Sequence, residues 1–278
     1  MIRTLKEIIA EAKTYLQGDF VLEDIYWIIE ETLGLQKYEI FSKANESFED
    51  VLILERVKAA VNKPVAYILN KTNFFSYSFK VTEDTLIPRN ETEELIELTL
   101  KRIEEEPHRE WKILDIGTGT GCIAITLDKE LTKRNIKHKV MAIDISEKAL
   151  EVAKENANNL NANIEFYLSD VYDNVDLENI DLVISNPPYI DKNTFVAERV
   201  LNNEPHLALF ADENGLAIYR KIIEDLNKYN VSEVFFEISP DLVEGLENIS
   251  KEYLLDYKCE FINDMNNFIR FMHISIKR

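Results

Sequence analysis

Hydrophobic residues in the first 70 positions recur every three or four residues, the spacing of amphipathic helices. The first predicted helix ends at Gly18 and carries its apolar residues on one face: Ile2, Leu5, Ile8, Ile9, Ala12 and Leu16. A second helix is predicted over residues 22–33, ending at Gly34, and a third over residues 48–61, ending before Pro64. From residue 74 to residue 81, aromatic and polar residues alternate, which predicts a strand or a hairpin.

The pattern changes after about residue 83. A helix is predicted over residues 91–105, and short apolar runs then alternate with helical segments, at residues 111–114, 139–143, 164–168, 180–184 and 234–238. This alternation predicts an α/β fold with a mostly parallel sheet and helices on both faces. The last two predicted strands, residues 258–262 and 268–276, are joined by only about five residues, too few for a crossover, so we expect an antiparallel C-terminal hairpin. The predicted domains are a small helical domain (1–72), a hairpin linker (73–88) and a larger α/β domain (89–278).

The net charge of the chain bears on which molecules it can bind. The 278 residues include 32 basic and 51 acidic side chains, a net charge of −19, and no basic cluster. Such a surface repels phosphate backbones, so we expect no direct nucleic-acid binding. Cys122 and Cys259 are far apart and the four histidines are scattered, so no metal site is predicted. The N-terminus does not resemble a secretory signal, and no apolar run approaches the roughly 20 residues of a membrane span. We therefore expect a cytoplasmic protein without membrane contact.

A glycine-rich turn follows the first strand of the α/β region. Its sequence is Asp115-Ile116-Gly117-Thr118-Gly119-Thr120-Gly121, and a helix is predicted to begin at Cys122. Glycines at a strand-to-helix turn let the backbone approach a ligand closely. The alternating glycines differ from the dinucleotide pattern G-x-G-x-x-G and suit the amino-acid part of S-adenosylmethionine better than a pyrophosphate. Taken alone, the stretch fits a purely structural turn equally well.

Acidic residues end the next two predicted strands. Asp144 lies 23 residues after Gly121, at the position where a carboxylate typically accepts from a ribose hydroxyl. Asp170 follows the third strand and is predicted to accept from the exocyclic amine of adenine, with Val171 offering its backbone N–H and an apolar face. One carboxylate at a strand end is usually just solvated or a cap, but two beside a glycine turn indicate a nucleoside site.

The stretch Asn186-Pro187-Pro188-Tyr189 directly follows the apolar run 180–184. The two prolines fix φ and remove two backbone donors, which leaves their carbonyl groups free to accept. Asn186 adds a side-chain acceptor and Tyr189 an aromatic wall. The four residues are therefore suited to hold a planar –NH2 group with its face toward an electrophile, whereas a Pro-Pro pair alone indicates no more than a turn.

In these motifs and their order, the chain resembles the HemK/PrmC family of glutamine methyltransferases that modify peptide-chain release factors. The resemblance covers most of the chain and is carried by Lys63-Pro64-Val65-Ala66-Tyr67-Ile68, Ile87-Pro88-Arg89 with Glu91-Thr92-Glu93, Asp115 to Gly121, Ala142-Ile143-Asp144-Ile145-Ser146, Ser185 to Ile190, Glu204-Pro205 with Ala208-Leu209-Phe210, Gly215-Leu216, Tyr219-Arg220, Asp264 and Arg270. Asn-Pro-Pro-Tyr also occurs in adenine-specific DNA methyltransferases. The Ile-Pro-Arg segment and its distance from the glycine turn are more particular to the release-factor family.

The resemblance implies a Rossmann-like S-adenosylmethionine-dependent methyltransferase fold that methylates the glutamine of the release factors' GGQ motif. It also implies that the N-terminal helices grip the release factor, whereas the sequence alone leaves open that they are only a structural cap. In this interpretation the catalytic residues are Asn186, Pro187 and Tyr189, with Pro188 also contacting substrate, and the cofactor-binding residues are Gly117, Thr118, Gly119, Thr120, Gly121, Asp144, Asp170, Val171 and Asn186. Two other interpretations remain open: an adenine amino-methyltransferase acting on nucleic acid, and a non-catalytic S-adenosylmethionine-binding module.

At four positions the chain departs from the pattern of this family. It has Asn70, Ser239 and Asn267 where the family usually has glycine, and Asn90 where the family usually has proline. None of the four lies in the glycine turn or in Asn-Pro-Pro-Tyr. They therefore concern local turn geometry and the choice of protein partner rather than the chemistry.

Overall fold

The computed structural model describes residues 1–16, 21–175, 180–229 and 231–277. The chain divides into two compact units: Met1–Lys71 with Ala197–Asn203, and Thr72–Val196 with Glu204–Arg278. The predicted functional division at residue 72 stays a prediction. The sequence pattern gave no indication that residues 197–203 belong with the first unit, where the Asn203 side chain donates to the Asn62 carbonyl at 2.8 Å.

The first unit is mainly helical, with a short antiparallel pair of strands. Its elements, numbered in chain order, are β1 (Ile2–Thr4), α1 (Leu5–Tyr15), α2 (Val21–Leu33), α3 (Lys37–Ser42), β2 (Ser47–Glu49), α4 (Val51–Ala59), α5 (Val65–Leu69) and α9 (Glu198–Leu201). The helix predicted over residues 22–33 is confirmed as α2. Its core consists of the inward faces of α1, α2 and α4, which include Leu5, Ile25 and Ile53.

Two of the predicted helix starts were wrong. The first helix begins at Leu5 rather than at Ile2, because Thr4 and Glu7 form a capping box at its N-terminus. The third begins at Val51 rather than at residue 48, because Phe48 pairs with Arg3 between β2 and β1. The stop predicted at Gly18 lies outside the described residues.

The second unit carries the α/β fold. Its elements are β3 (Thr72–Phe74), β4 (Tyr77–Phe79), α6 (Asn90–Glu104), β5 (Trp111–Ile116), α7 (Cys122–Lys133), β6 (His138–Asp144), α8 (Glu147–Leu160), β7 (Ile164–Leu168), β8 (Leu182–Ser185), α10 (His206–Leu209), α11 (Ala217–Glu224), β9 (Glu233–Glu237), α12 (Val243–Tyr253), β10 (Tyr257–Asn263) and β11 (Ile269–Ile276). The hairpin predicted over residues 74–81 is formed by β3 and β4.

Seven strands form one sheet, in the order β10-β11-β9-β8-β5-β6-β7. The five strands from β9 to β7 are parallel, whereas β11 runs antiparallel to both β9 and β10. Apolar residues of α6, α7 and α8 pack on one face of the sheet, and those of α11 and α12 pack on the other. The mostly parallel sheet with an antiparallel C-terminal hairpin is therefore confirmed.

The four departures from the family pattern fit their local backbone. Asn70 and Asn267 have φ of 51° and 64°, in the left-handed region that asparagine tolerates best after glycine. Asn90 is the first residue of α6, the position at which proline is common but not required. Ser239 has φ of −88°, which any residue adopts. Each of the four residues is therefore compatible with the backbone conformation at its position.

Gly215 lies against the backbone of the Asn-Pro-Pro-Tyr segment. It has φ of +90°, and a Cβ atom at this position would lie 2.2 Å from the carbonyl oxygen of Tyr189. Gly117 has φ of +73° but open space where its Cβ would be. We expect Gly215→Ala to lower the free energy of unfolding by about 3 kcal/mol, the sum of backbone strain and overpacking, and Gly117→Ala by about 1 kcal/mol from strain alone. Chemical denaturation of both variants measures this difference, and equal losses would show that the carbonyl moves away easily.

Candidate functional site

The carboxyl ends of four neighbouring parallel strands meet at one cavity. Gly117, Asp144, Asp170 and Asn186 follow or end β5, β6, β7 and β8, and all four line it. Ligands of open α/β sheets bind in the crevice outside such strand ends. The remaining lining residues come from the turns, from α8 and α11, and from the segments 84–86 and 205–208: Asp84, Thr85, Leu86, Ile116, Gly119, Ile143, Ile145, Ser146, Ala149, Ser169, Val171, Pro188, Pro205, Leu207, Ala208 and Ile218.

The three glycines of the turn have different roles. All have positive φ: 73° at Gly117, 54° at Gly119 and 80° at Gly121. A Cβ atom at Gly117 or Gly119 would meet nothing within 4 Å, whereas one at Gly121 would lie 2.9 Å from Cδ1 of Ile125 and 3.2 Å from Cβ of Ala153. The first two glycines therefore leave open space beside the backbone, and the third allows α7 to pack closely against α8.

Asp115 and the two threonines of the turn are buried beneath the cavity. Thr118 donates its hydroxyl to Oδ2 of Asp115 at 2.6 Å, and the backbone N–H of Ala124 donates to the same oxygen at 3.3 Å. Burial raises the pKa of Asp115 to about 7. Oδ1 of Asp115 is buried without a hydrogen-bond partner among the described residues. Thr118 and Thr120 do not line the cavity, and the Thr118 hydroxyl ties the turn to Asp115.

Asp144 accepts hydrogen bonds from the backbone of two other residues that line the cavity. Its Oδ2 accepts from the N–H of Gly119 at 2.8 Å, and its Oδ1 accepts from the N–H of Ser146 at 2.9 Å. Burial raises its pKa, and the backbone donors oppose that effect. Because each carboxylate oxygen has a second lone pair, Asp144 keeps acceptor capacity toward the cavity while it fixes the glycine turn.

Val171 adopts a backbone conformation that is rare for a β-branched residue. Its φ is 52°, in the left-handed region where such residues are outliers. The hydroxyl of Ser169 donates to the Val171 carbonyl at 2.9 Å and accepts from the N–H of Asn174 at 3.0 Å, which holds the turn. The adjacent Asp170 pairs through Oδ2 with Nζ of Lys221 at 2.8 Å. Strain of this kind persists where the surrounding structure enforces it, often at ligand sites.

The Asn-Pro-Pro-Tyr segment contributes two residues to the cavity lining. Asn186 and Pro188 line it, whereas Pro187 is buried and Tyr189 is half-buried against the core between the sheet, α11 and α12. Burial raises the pKa of Tyr189. The residue that follows the segment is anchored, because the N–H of Ile190 donates to the Leu209 carbonyl at 3.0 Å.

Two residues that the sequence reasoning did not assign fix the Asn186 amide. Nδ2 of Asn186 donates to the hydroxyl oxygen of Thr92 at 3.1 Å, and that hydroxyl donates to Oε2 of Glu237 at 2.6 Å. Thr92 lies in the first turn of α6, and Glu237 is the last residue of β9, next to β8 in the sheet. The amide therefore has its nitrogen engaged by the protein, which leaves Oδ1 as its other hydrogen-bonding atom.

The sequence and fold resemble those of known methyltransferases. Residues 91–209 match the family model described as "Methyltransferase small domain". A release factor glutamine methyltransferase of Flavobacterium psychrophilum is 34% identical over 265 residues, covering 91% of this chain and 92% of the relative. One from Streptococcus pneumoniae is 40% identical over 209 residues, covering 74% and 72%. The chain belongs to the release factor glutamine methyltransferase family.

Solved structures with lower sequence identity share the fold of this chain. The hMettl16 catalytic domain, in complex with MAT2A 3′UTR hairpin 6, superposes with a TM-score of 0.56 at 16% identity, covering 81% of this chain and 83% of that one. A methyltransferase from Pyrococcus furiosus superposes with a TM-score of 0.50 at 18% identity, covering 80% and 98%. At this identity the likeness shows a shared methyltransferase fold and no more.

Two of the motifs that carry the family resemblance, without an assigned role in the sequence analysis, contact each other. Nη2 of Arg89 lies 2.7 Å from both carboxylate oxygens of Glu204, which is only 4% exposed. The pair joins the Ile87-Pro88-Arg89 motif to the Glu204-Pro205 motif, beside the two segments that complete the cavity. Their separation of 115 residues hides this contact from the sequence pattern.

Every charged side chain that lines the cavity, within the described residues, is acidic: Asp84, Asp144 and Asp170. Asp84 and Asp170 each pair with a lysine, whereas Asp144 accepts from backbone N–H groups. Such a lining suits a ligand that carries positive charge. Across the described ranges, no cluster of histidine, cysteine or acidic residues is arranged to hold a metal ion, and every helix is too short or too polar to cross a membrane.

Proposed function

We propose that this chain transfers a methyl group from S-adenosylmethionine to the side-chain amide nitrogen of the GGQ glutamine in peptide-chain release factors. Relatives at 34% and 40% identity carry the name of that activity. The observation that carries the proposal is the orientation of Asn186. Its amide nitrogen is bound to Thr92, and it lines the same cavity as Gly117 and Asp144, so an amide acceptor stands beside a nucleoside-type pocket.

The residues of the cavity fit S-adenosylmethionine. The open positions at Gly117 and Gly119 suit close approach of its amino-acid part, and the uniformly acidic charge of the lining suits a cation. Asp144 would accept from the ribose hydroxyls. Asp170 and Val171 would contact the adenine, since Oδ1 of Asp170 is not the oxygen paired with Lys221. When bound, the cofactor supplies an electrophilic methyl group on a positively charged sulfur.

The protein's contribution to the chemistry is to position the substrate amide. A glutamine side-chain nitrogen is a weak nucleophile, because its lone pair is delocalised into the carbonyl group. Asn186 Oδ1 and the Pro187 carbonyl would accept its two N–H bonds, which orients the nitrogen and raises its electron density. One N–H of the amide is replaced by N–CH3 and one proton is released. Pro188 and Tyr189 would pack against the glutamine side chain.

The protein partner is the release factor itself, and we assign its recognition to the helical first unit. That unit has its own core, and none of its residues that the structure describes lines the cavity. Substrate and enzyme would meet in the cytoplasm. The net charge of −19 opposes a nucleic-acid substrate, because phosphate backbones bind positive surfaces.

Incubation with S-adenosylmethionine labelled in its methyl group tests the proposal. Release factor, a release factor with the GGQ glutamine changed to alanine, double-stranded DNA and RNA are presented separately. We expect label only on the release factor that carries the glutamine. Label on DNA or RNA would favour an adenine amino-methyltransferase, and binding of the cofactor without any transfer would indicate a non-catalytic module.

A further inference from the structure

Thr92 and Glu237 form a buried pair behind Asn186 that the proposed chemistry does not use directly. Each is only 2% exposed. Neither lines the cavity. They come from different elements: Thr92 contacts Asn186 from α6, and Glu237 contacts Thr92 from the end of β9. Burying a carboxylate costs free energy unless it is paired or hydrogen-bonded. The presence of a buried glutamate at this position therefore calls for an explanation.

The Glu237 carboxylate sets the donor and acceptor at each hydrogen bond of the series Glu237–Thr92–Asn186. An ionised Glu237 can only accept, so the Thr92 hydroxyl must donate to it. The hydroxyl oxygen is then left as an acceptor, and only the NH2 end of Asn186 satisfies it. The Oδ1 end must consequently turn away from Thr92. If Glu237 were a donor, Thr92 could donate to Asn186 instead, and the asparagine amide could rotate by half a turn.

We propose that Thr92 and Glu237 are positioning residues that set which end of the Asn186 amide meets the substrate. With Oδ1 presented, Asn186 accepts from the –NH2 group of the substrate. With Nδ2 presented, it would set a donor against that group and repel it. This inference rests on the proposed function for its consequence in catalysis, but the orientation itself can be measured on the enzyme alone.

The surroundings of Glu237 support such a role. Burial raises its pKa to about 7, while the Thr92 hydrogen bond and the charges of Arg270 and Arg89 lower it and the charge of Glu91 raises it. Tyr189 and Tyr219 also face this region, and the Tyr219 hydroxyl donates to the backbone carbonyl of Glu237 at 2.6 Å. Protonated Glu237 is itself a donor, so activity should fall as the pH drops below about 7.

The orientation is tested by the exchange rate of the Asn186 side-chain NH2 protons, followed by nuclear magnetic resonance and assigned by their loss in Asn186→Ala. In the wild-type enzyme we expect slow exchange, because Nδ2 is hydrogen-bonded inside. Thr92→Val keeps the shape and removes the hydroxyl, so exchange should accelerate about tenfold or more. Thr92→Ser keeps the hydroxyl and should retain slow exchange. Equal exchange in the Val and Ser variants would overturn the proposal.

Turnover on release factor tests the consequence. We expect Thr92→Val to lower kcat about tenfold, which corresponds to about 1.4 kcal/mol, with unchanged affinity for S-adenosylmethionine, and Thr92→Ser to restore most of it. In an Asn186→Ala background, Thr92→Val should have no further effect. Glu237→Gln, which cannot ionise, should lower kcat and remove the part of the activity loss below about pH 7 that Glu237 causes. Asp115, whose pKa is also about 7, keeps its own titration in this variant.

Additive losses in the double variant would show that Thr92 acts through general stability rather than through Asn186, and would overturn the proposal. A wild-type enzyme that does not methylate release factor would instead refute the proposed function, and the exchange measurement would still decide the orientation of Asn186.

Discussion

Asn186→Ala is expected to lower the rate of methyl transfer to release factor by about 10²-fold or more, the loss typical for removal of one preorganised hydrogen-bonding group at a reacting centre. The substituted side chain loses the acceptor that faces the substrate amide. Cofactor affinity should change little, because Asp144 and the glycine turn remain. Single-turnover kinetics with labelled cofactor measures the rate, and calorimetry measures the affinity.

Asn158→Ala serves as the matched control. Asn158 is exposed on α8 and lies outside the cavity lining, so the same change of side chain should leave both quantities as in the wild type. If Asn186→Ala kept near wild-type turnover, Asn186 would have no part in positioning the substrate.

Asp144→Ala is expected to weaken S-adenosylmethionine binding by about 1.5–3 kcal/mol, the range for hydrogen bonds to a charged group. The ribose hydroxyls lose their charged acceptor, and the N–H groups of Gly119 and Ser146 lose the oxygens that they contact at 2.8 and 2.9 Å. The glycine turn is therefore less well ordered before binding. Calorimetric titration of the cofactor measures the loss.

Asp256→Ala is the control for removal of one negative charge, because Asp256 is exposed before β10 and far in sequence from the turn. It should bind the cofactor as the wild type does. Unchanged affinity in Asp144→Ala would refute the assignment of this cavity as a nucleoside site.

The α/β architecture could be predicted because each strand is marked by its own residues. The run from Trp111 to Ile116 is apolar enough to be central in the sheet, and the short connection after β10 permits only an antiparallel return. The residues that line the cavity at strand ends followed from the same logic, since parallel strands end at one edge. For the strands of the sheet, the local sequence pattern therefore agrees with the observed topology.

What the sequence could not give depends on distant contacts. Thr92 is separated from Asn186 by 94 residues and from Glu237 by 145 residues, so no spacing rule connects the three. Short helices such as α3 and α5 also escaped prediction, because six and five residues are too few to establish helical periodicity. The start of α1 was misplaced because the capping box at Thr4 outweighs the apolar character of Ile2.

Mass-spectrometric mapping of release factor after incubation with this enzyme and S-adenosylmethionine tests the proposed methyl transfer most directly. We expect one added methyl group, confined to the peptide with the GGQ motif and located on the glutamine side-chain nitrogen, and about 10²-fold less of it with the Asn186→Ala enzyme at the same early time point. A methyl group on any other residue, or one that persists undiminished with that variant, would refute the proposed methylation of the GGQ glutamine through Asn186.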